Sequence, residues 1–137
     1  MLRYMDPTTD FGFKKIFASG QSKPVLKSFL FGLLGLETPI AEVSFLPLEQ
    51  LPARVEERMG IYDIYLIDER GQRFIVEMQK TNQEFFIDRS VYYSSFPLAQ
   101  QAQKGRWNFQ MAHVYCLGIL DFDMLPDDHF IRPVKLV

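Results

Sequence analysis

Between Tyr62 and Lys80 the chain reads YDIYLIDERGQRFIVEMQK, two apolar runs on either side of a charged turn. Each run carries one carboxylate among large side chains: Asp63 is followed by Ile, Tyr, Leu and Ile, and Glu77 is preceded by Phe, Ile and Val. A carboxylate in a strand that otherwise reads as buried costs several kcal/mol unless something compensates it. Gly71 sets the register of the hairpin. A three-residue loop ends on a residue in the left-handed region, where Gly fits best. Placing Glu69, Arg70 and Gly71 in that loop pairs Asp68 with Gln72 and, counting back, Asp63 with Glu77. Directly opposed residues share a face, with Cβ atoms roughly 4.5–5.5 Å apart. Gln79 has the parity of Glu77 and points to the same side. Two like charges held this way repel, and a divalent cation between them removes the conflict. The pair reads as a metal site. With no His or Cys nearby its ligands are oxygens, which favours Mg2+ or Mn2+ over zinc. The ordinary alternative is a pair of acidic residues on a surface hairpin, and a register slip of one residue would send them to opposite faces.

Bulk properties narrow the class. The chain has 137 residues, 47% of them hydrophobic, enough for one domain with a single sizeable core. Thirteen Phe and six Tyr set it apart from disordered chains. The formal net charge of -2 gives no global attraction to nucleic acid or anionic lipid, so any phosphate contact must be a local patch. The lone Cys116 excludes an internal disulfide framework and fits a reducing cytoplasm. The start, MLRYMDPTTD, has no hydrophobic signal segment, and the longest apolar run, FLFGLLGL, is too short to span a bilayer. These features predict a soluble cytoplasmic protein.

No repeat, low-complexity segment or linker divides the chain. Thr8, Thr9 and Asp10 are N-cap candidates for a helix over FGFKKIFAS. Ser22 and Pro24 open a second helix, KPVLKSFLFGLLG, with Gly35 near its end. Residues 42–48 predict a strand with Pro47 at its end or edge. Residues 61–68 and 73–79 predict the two strands of the hairpin. A long helical pattern runs over 84–104 and stops at Gly105, with Pro97 expected to kink or break it. The continuous apolar run of residues 113–120, HVYCLGIL, predicts a fully buried strand. A long helix between hairpin and last strand allows a crossover that sets this strand parallel to one already in the sheet. The expected fold is α/β, a small mixed sheet with helices on both faces.

Four blocks, in order and with compatible spacing, carry a resemblance. DPTTDFGFKKIF has Asp10, Phe13, Lys14 and Phe17; FIVEMQK has the Glu-Met-Gln block after the Asp63 strand. DRSVYYSSFPLAQQAQKG has Arg89, Tyr92, Tyr93, Gln101 and Gly105, and HVYCLGILDF has the last strand. Together they resemble the Rpn-type recombination-promoting nucleases, a transposase-like family of the PD-(D/E)xK nuclease superfamily. The resemblance implies a restriction-endonuclease-like core and metal-dependent endonucleolytic hydrolysis of DNA phosphodiesters. It implies Asp63 and Glu77 as metal ligands, with the backbone carbonyl of Met78 as another, and Mg2+ or Mn2+ as the cofactor. Gln79 stands where most of the superfamily has Lys, as it does in this branch; Gln orients water but supplies no positive charge. Lys14 is the substitute the resemblance offers, provided the first helix packs against the open edge of the site. The implied partner is DNA, not a membrane, and a homodimer is admissible. Members of the resembled family are usually longer, so residues 1–137 read as a single nuclease-like domain cut short at the C-terminus.

Ordinary structural roles compete for the remaining candidates. Lys15 reads as solvated, Arg89 as a structural pair, Gln101 as either a family position or a plain helix-surface residue. Tyr92 and Tyr93 read as core rather than as base-stacking platforms. His113 and His129 lack metal-ligand spacing, and Cys116 reads as an inert core thiol. A different functional class stays open: an interaction module that keeps the nuclease fold without catalysis, which the Lys-to-Gln departure and weak net charge favour.

Overall fold

The computed structural model describes residues 4–47, 64–79, 84–123 and 128–134. Helix α1 spans Asp10–Phe17 and begins at Thr9, whose hydroxyl accepts the Gly12 N–H at 2.9 Å. A single 3-10 turn, Gly20–Ser22, leads into α2, Lys23–Leu34. Pro24 sits in the first turn of α2, where its missing N–H costs no helical bond, and Gly35 closes the helix at φ 58°. Strand β1 is Val43–Phe45, β2 is Ile64–Asp68 and β3 is Arg73–Gln79. Helix α3 spans Phe86–Ala99, and β4 is Val114–Leu120.

The four strands pair in the order β1-β2-β3-β4, antiparallel up to β3, with β4 parallel to β3. The α3 segment makes the crossover that a parallel neighbour requires. The β2–β3 hairpin has the predicted register: Ile64 faces Val76, Leu66 faces Phe74 and Ile67 faces Arg73. Its loop is Glu69, Arg70 and Gly71, with Gly71 at φ 78°. The Asp68 carbonyl accepts the Gly71 N–H, and the Asp68 N–H donates to the Gln72 carbonyl at 3.0 Å.

Alternation along the strands separates two cores. One face carries Ile64, Leu66, Phe74 and Val76, covered by Phe13 of α1 and Leu26 and Leu30 of α2, with Met78 and alternate β4 residues beside them. The other carries Tyr65 and Ile75, covered by Tyr93 and Phe96 of α3, with Cys116 alongside. Helices thus cover both faces, as the sequence predicts. Among the described residues no helix is long and apolar enough to cross a membrane.

Three expectations need correction. Strand β4 is half-buried rather than fully buried, because it lies at the edge of the four-stranded sheet. Helix α3 ends at Ala99, six residues before Gly105. Pro97 lies in its last turn and donates no backbone bond, so the helix stops two residues later. Arg73 then takes the Pro97 carbonyl through Nη1 at 3.0 Å, tying the end of α3 to the start of β3. Tyr92 is 58% exposed while Tyr93 is buried, since neighbouring helical positions differ by about 100° and only one can face the sheet.

Gly71 is the position where backbone geometry, not packing, decides. A Cβ there would meet nothing closer than the Ala112 Cβ at 3.8 Å. Gly71→Ala should therefore cost about 1 kcal/mol from the left-handed conformation alone. Urea denaturation would read this as a lower midpoint with an unchanged slope.

Candidate active site

Four polar or charged side chains are buried among the described residues, and two of them are carboxylates. The contrast between the two is informative. Asp68, 7% exposed, is consumed by its own turn: Oδ1 accepts the backbone N–H of Arg70 at 3.0 Å and of Gln72 at 2.8 Å, and Oδ2 accepts the Gln72 amide at 2.9 Å. It is a turn-forming carboxylate. Glu77 is 3% exposed and lies near the far end of β3, away from any turn. Gln79, 5% exposed, lies two residues on, and its Nε2 donates to Glu77 Oε1 at 2.8 Å.

Strand periodicity brings Glu77 and Gln79 together on the α3 face, in line with Arg73 and Ile75. Met78, between them, turns its side chain to the opposite core. Its backbone has a different orientation from theirs. Gln79 accepts from the Asp121 N–H and Arg73 donates to the His113 carbonyl, so odd-numbered β3 residues bond toward β4. Even-numbered ones then bond toward β2, which directs the Met78 carbonyl to the side where β2 begins. Asp63 lies outside the described residues, immediately before β2. Lys14 is exposed on α1. That helix packs on the face opposite Glu77, and its Phe13 shares a core cluster with Ile64 and Val76, the neighbours in sequence of Asp63 and Glu77.

One residue that shapes the site went unread in the sequence. Gly118 of β4 pairs with Glu77, and the Phe86 ring of α3 lies over it. A Cβ on Gly118 would come within 2.7 Å of Phe86 Cζ. The absent side chain lets the first turn of α3 rest on the sheet beside the carboxylate. The signal was present in HVYCLGIL, because a Gly inside an apolar strand marks a close approach.

Cys116 is the next neighbour on this face. Burial pushes its thiol up from 9.0 to about 11, and the Glu77 charge adds to the rise, while Ser90 and Ser94 of α3 hydrogen-bond to it and lower it. The protonated, poorly nucleophilic form is thereby favoured. Other candidates are structural. Gln101 clamps the backbone of Ala112, accepting its N–H at 2.8 Å and donating to its carbonyl at 3.1 Å. His113 and His129 are exposed, with Tyr115 and Arg132 beside them respectively.

Two measurements probe this arrangement. Gly118→Ala should cost about 1–3 kcal/mol by overpacking against Phe86, seen as a lower denaturation midpoint. For Cys116 the folded thiol pKa lies above the unfolded one, so its contribution to stability is full below about pH 9 and is lost as pH rises through about 11. Cys116→Ala should flatten the fall in stability across that window.

A protein-family model described as "PD-(D/E)XK nuclease family transposase" matches residues 7–137. No curated protein and no solved structure shows a significant match. The four-stranded mixed sheet between helical layers agrees with the restriction-endonuclease-like core of that superfamily. By sequence and by architecture, the chain belongs to the PD-(D/E)XK nuclease family of transposases.

Proposed function

We propose that the chain is a metal-dependent DNA endonuclease, hydrolysing phosphodiesters at a site built on Asp63 and Glu77. One observation carries this reading: a buried Glu77 at the end of β3, in a hairpin whose next pair beyond Ile64 and Val76 would set Asp63 against it. A carboxylate in so dry a position is retained at a cost unless it serves a cation or a proton.

The donor set fits a hard divalent cation. Glu77, Asp63 and the Met78 carbonyl would offer oxygen donors alone, the set that a hard cation takes. Mg2+ or Mn2+ bound there would lower the pKa of a water and offset charge on the phosphoryl oxygens. Glu77 and Asp63 would be the residues to hold the cation, with Glu77 set on the regular strand β3. Gln79, already hydrogen-bonded to Glu77, fixes that carboxylate's orientation and offers its amide to the attacking water. Lys14, which the resemblance offers for the positive charge that Gln79 lacks, would have to reach round the sheet edge, since its helix packs on the face opposite Glu77.

A second reading rests on that same Gln79. With an amide where most of the superfamily has Lys, the chain would be an inactive nuclease-fold interaction module. Supercoiled plasmid separates the two. The endonuclease should nick it with Mg2+ or Mn2+, stop with EDTA, and lose activity with Asp63→Ala. Glu77→Gln should abolish cleavage and leave the fold intact, because the new amide carbonyl still accepts from Gln79. The wild type should also show a divalent-cation stabilisation, about 2.7 kcal/mol at a hundredfold excess over Kd, that vanishes in Glu77→Gln. No cleavage and no cation-dependent shift in the wild type would leave the module reading standing.

A further inference from the structure

At the opposite end of β3 from Glu77, a cavity of about 830 Å3 opens between the hairpin turn and the loop that joins α3 to β4. Its lining departs from the rest of the chain. Acidic residues outnumber basic ones overall, 17 to 15, yet the lining has three arginines, five side-chain amides and no Asp or Glu. Arg70 leans on Thr38 and lies 3.9 Å from Glu69. Arg73 is held by neutral acceptors, the Pro97 carbonyl and Gln100 Oε1 at 3.3 Å, so its charge is not offset by them. Arg106 is exposed.

Two lining residues have buried donors with no hydrogen-bond partner, Arg73 Nε and the Trp107 indole N–H. Buried donors left unpaired in this way are uncommon in folded proteins. Trp107 is in the cavity wall, and the Phe109 ring two residues on lies 4.6 Å from it between centroids, tilted by 34°. Phe109 is 73% exposed and holds φ 60°, a conformation that a bulky residue rarely adopts. An outlying backbone conformation that holds a ring out in water is a feature found at ligand-contacting positions.

Cations, amides and open aromatic rings are the chemistry of unstacked nucleotides. We propose that this cavity binds single-stranded nucleic acid, with phosphates on Arg73 and Arg106, bases on the Trp107 and Phe109 rings, and amides on the base edges. A duplex keeps its base faces covered and is convex, so it fits a concave aromatic surface poorly. An acidic peptide would use the arginines and leave the rings uncovered. The site stands apart from the carboxylates: Arg73 precedes Glu77 by four strand residues, about 13 Å along β3. Binding here does not depend on whether Glu77 cleaves.

Trp107 is the sole tryptophan, so its emission reports this cavity directly. The test titrates the full chain, in EDTA, with a mixed-sequence 12-nucleotide single-stranded DNA, and follows Trp107 quenching and the anisotropy of a labelled strand. Quenching is expected, with Kd weakened about tenfold in Phe109→Ala from loss of one stacked base. Arg106→Gln should lower the slope of log K against log salt by about 0.7, one phosphate contact, and Arg106→Lys should restore it. Both positions are exposed, and unchanged melting temperatures would confirm that the variants fold. Three results would overturn the proposal: unaltered affinity in Phe109→Ala and Arg106→Gln, duplex of the same length binding as tightly, or poly-glutamate quenching Trp107 equally.

Discussion

The hairpin turn is the constraint on which the site depends. Asp68 binds two backbone N–H groups of the turn and the Gln72 amide, and Gly71 takes the left-handed position that closes it. Together they fix which residue of β2 faces which residue of β3. A slip of one residue would move Glu77 and Gln79 into the α1/α2 core and put Met78 beside Cys116. The buried carboxylate that looks structural, Asp68, thus determines the environment of Glu77, the one that looks chemical, nine residues on.

Two kinds of layer meet on this sheet. Along β3 the α1/α2 face is apolar from Phe74 to Met78. The α3 face changes character along β3, from Arg73 through Ile75 to Glu77 and Gln79. Burial of Tyr65, Ile75 and Tyr93 in its middle holds α3 down, and polar groups occupy both ends. One end is arginine and amide, the other carboxylate and amide. Placing opposite charges at the two ends of a single strand keeps them apart while the same hydrophobic contact fixes both.

Much of this was legible because it depends on local geometry. Gly71 gives the register, Thr9 and Gly35 give two helix ends, and the parity of Glu77 and Gln79 gives their shared face. The rest depends on tertiary context. An apolar run such as HVYCLGIL does not reveal whether it lies at the centre or the edge of a sheet, so the half-burial of β4 was not readable. Pro97 and Gly105 both signal a helix end, and only packing decides between them. Tyr92 and Tyr93 are equivalent in composition, but one helix face is all the sheet can bury. The turn-capping role of Asp68 and the Phe86 contact of Gly118 are matters of atomic approach, which spacing alone does not specify. Lys14 was read from a family block, and the packing of α1 through Phe13 was not foreseen.

The clamp of Gln101 on Ala112 has an evolutionary consequence. A side-chain amide there imitates a peptide group and ties together the two ends of the loop over residues 102–111, just ahead of β4. With its ends pinned, that loop can change length without disturbing the strand that carries Gly118. Doubling a flexible loop adds only about 0.6 kcal/mol of closure entropy. The sheet and its carboxylates can therefore stay constant while the loop is redrawn, a division of labour that leaves the surface free to change on one fixed frame.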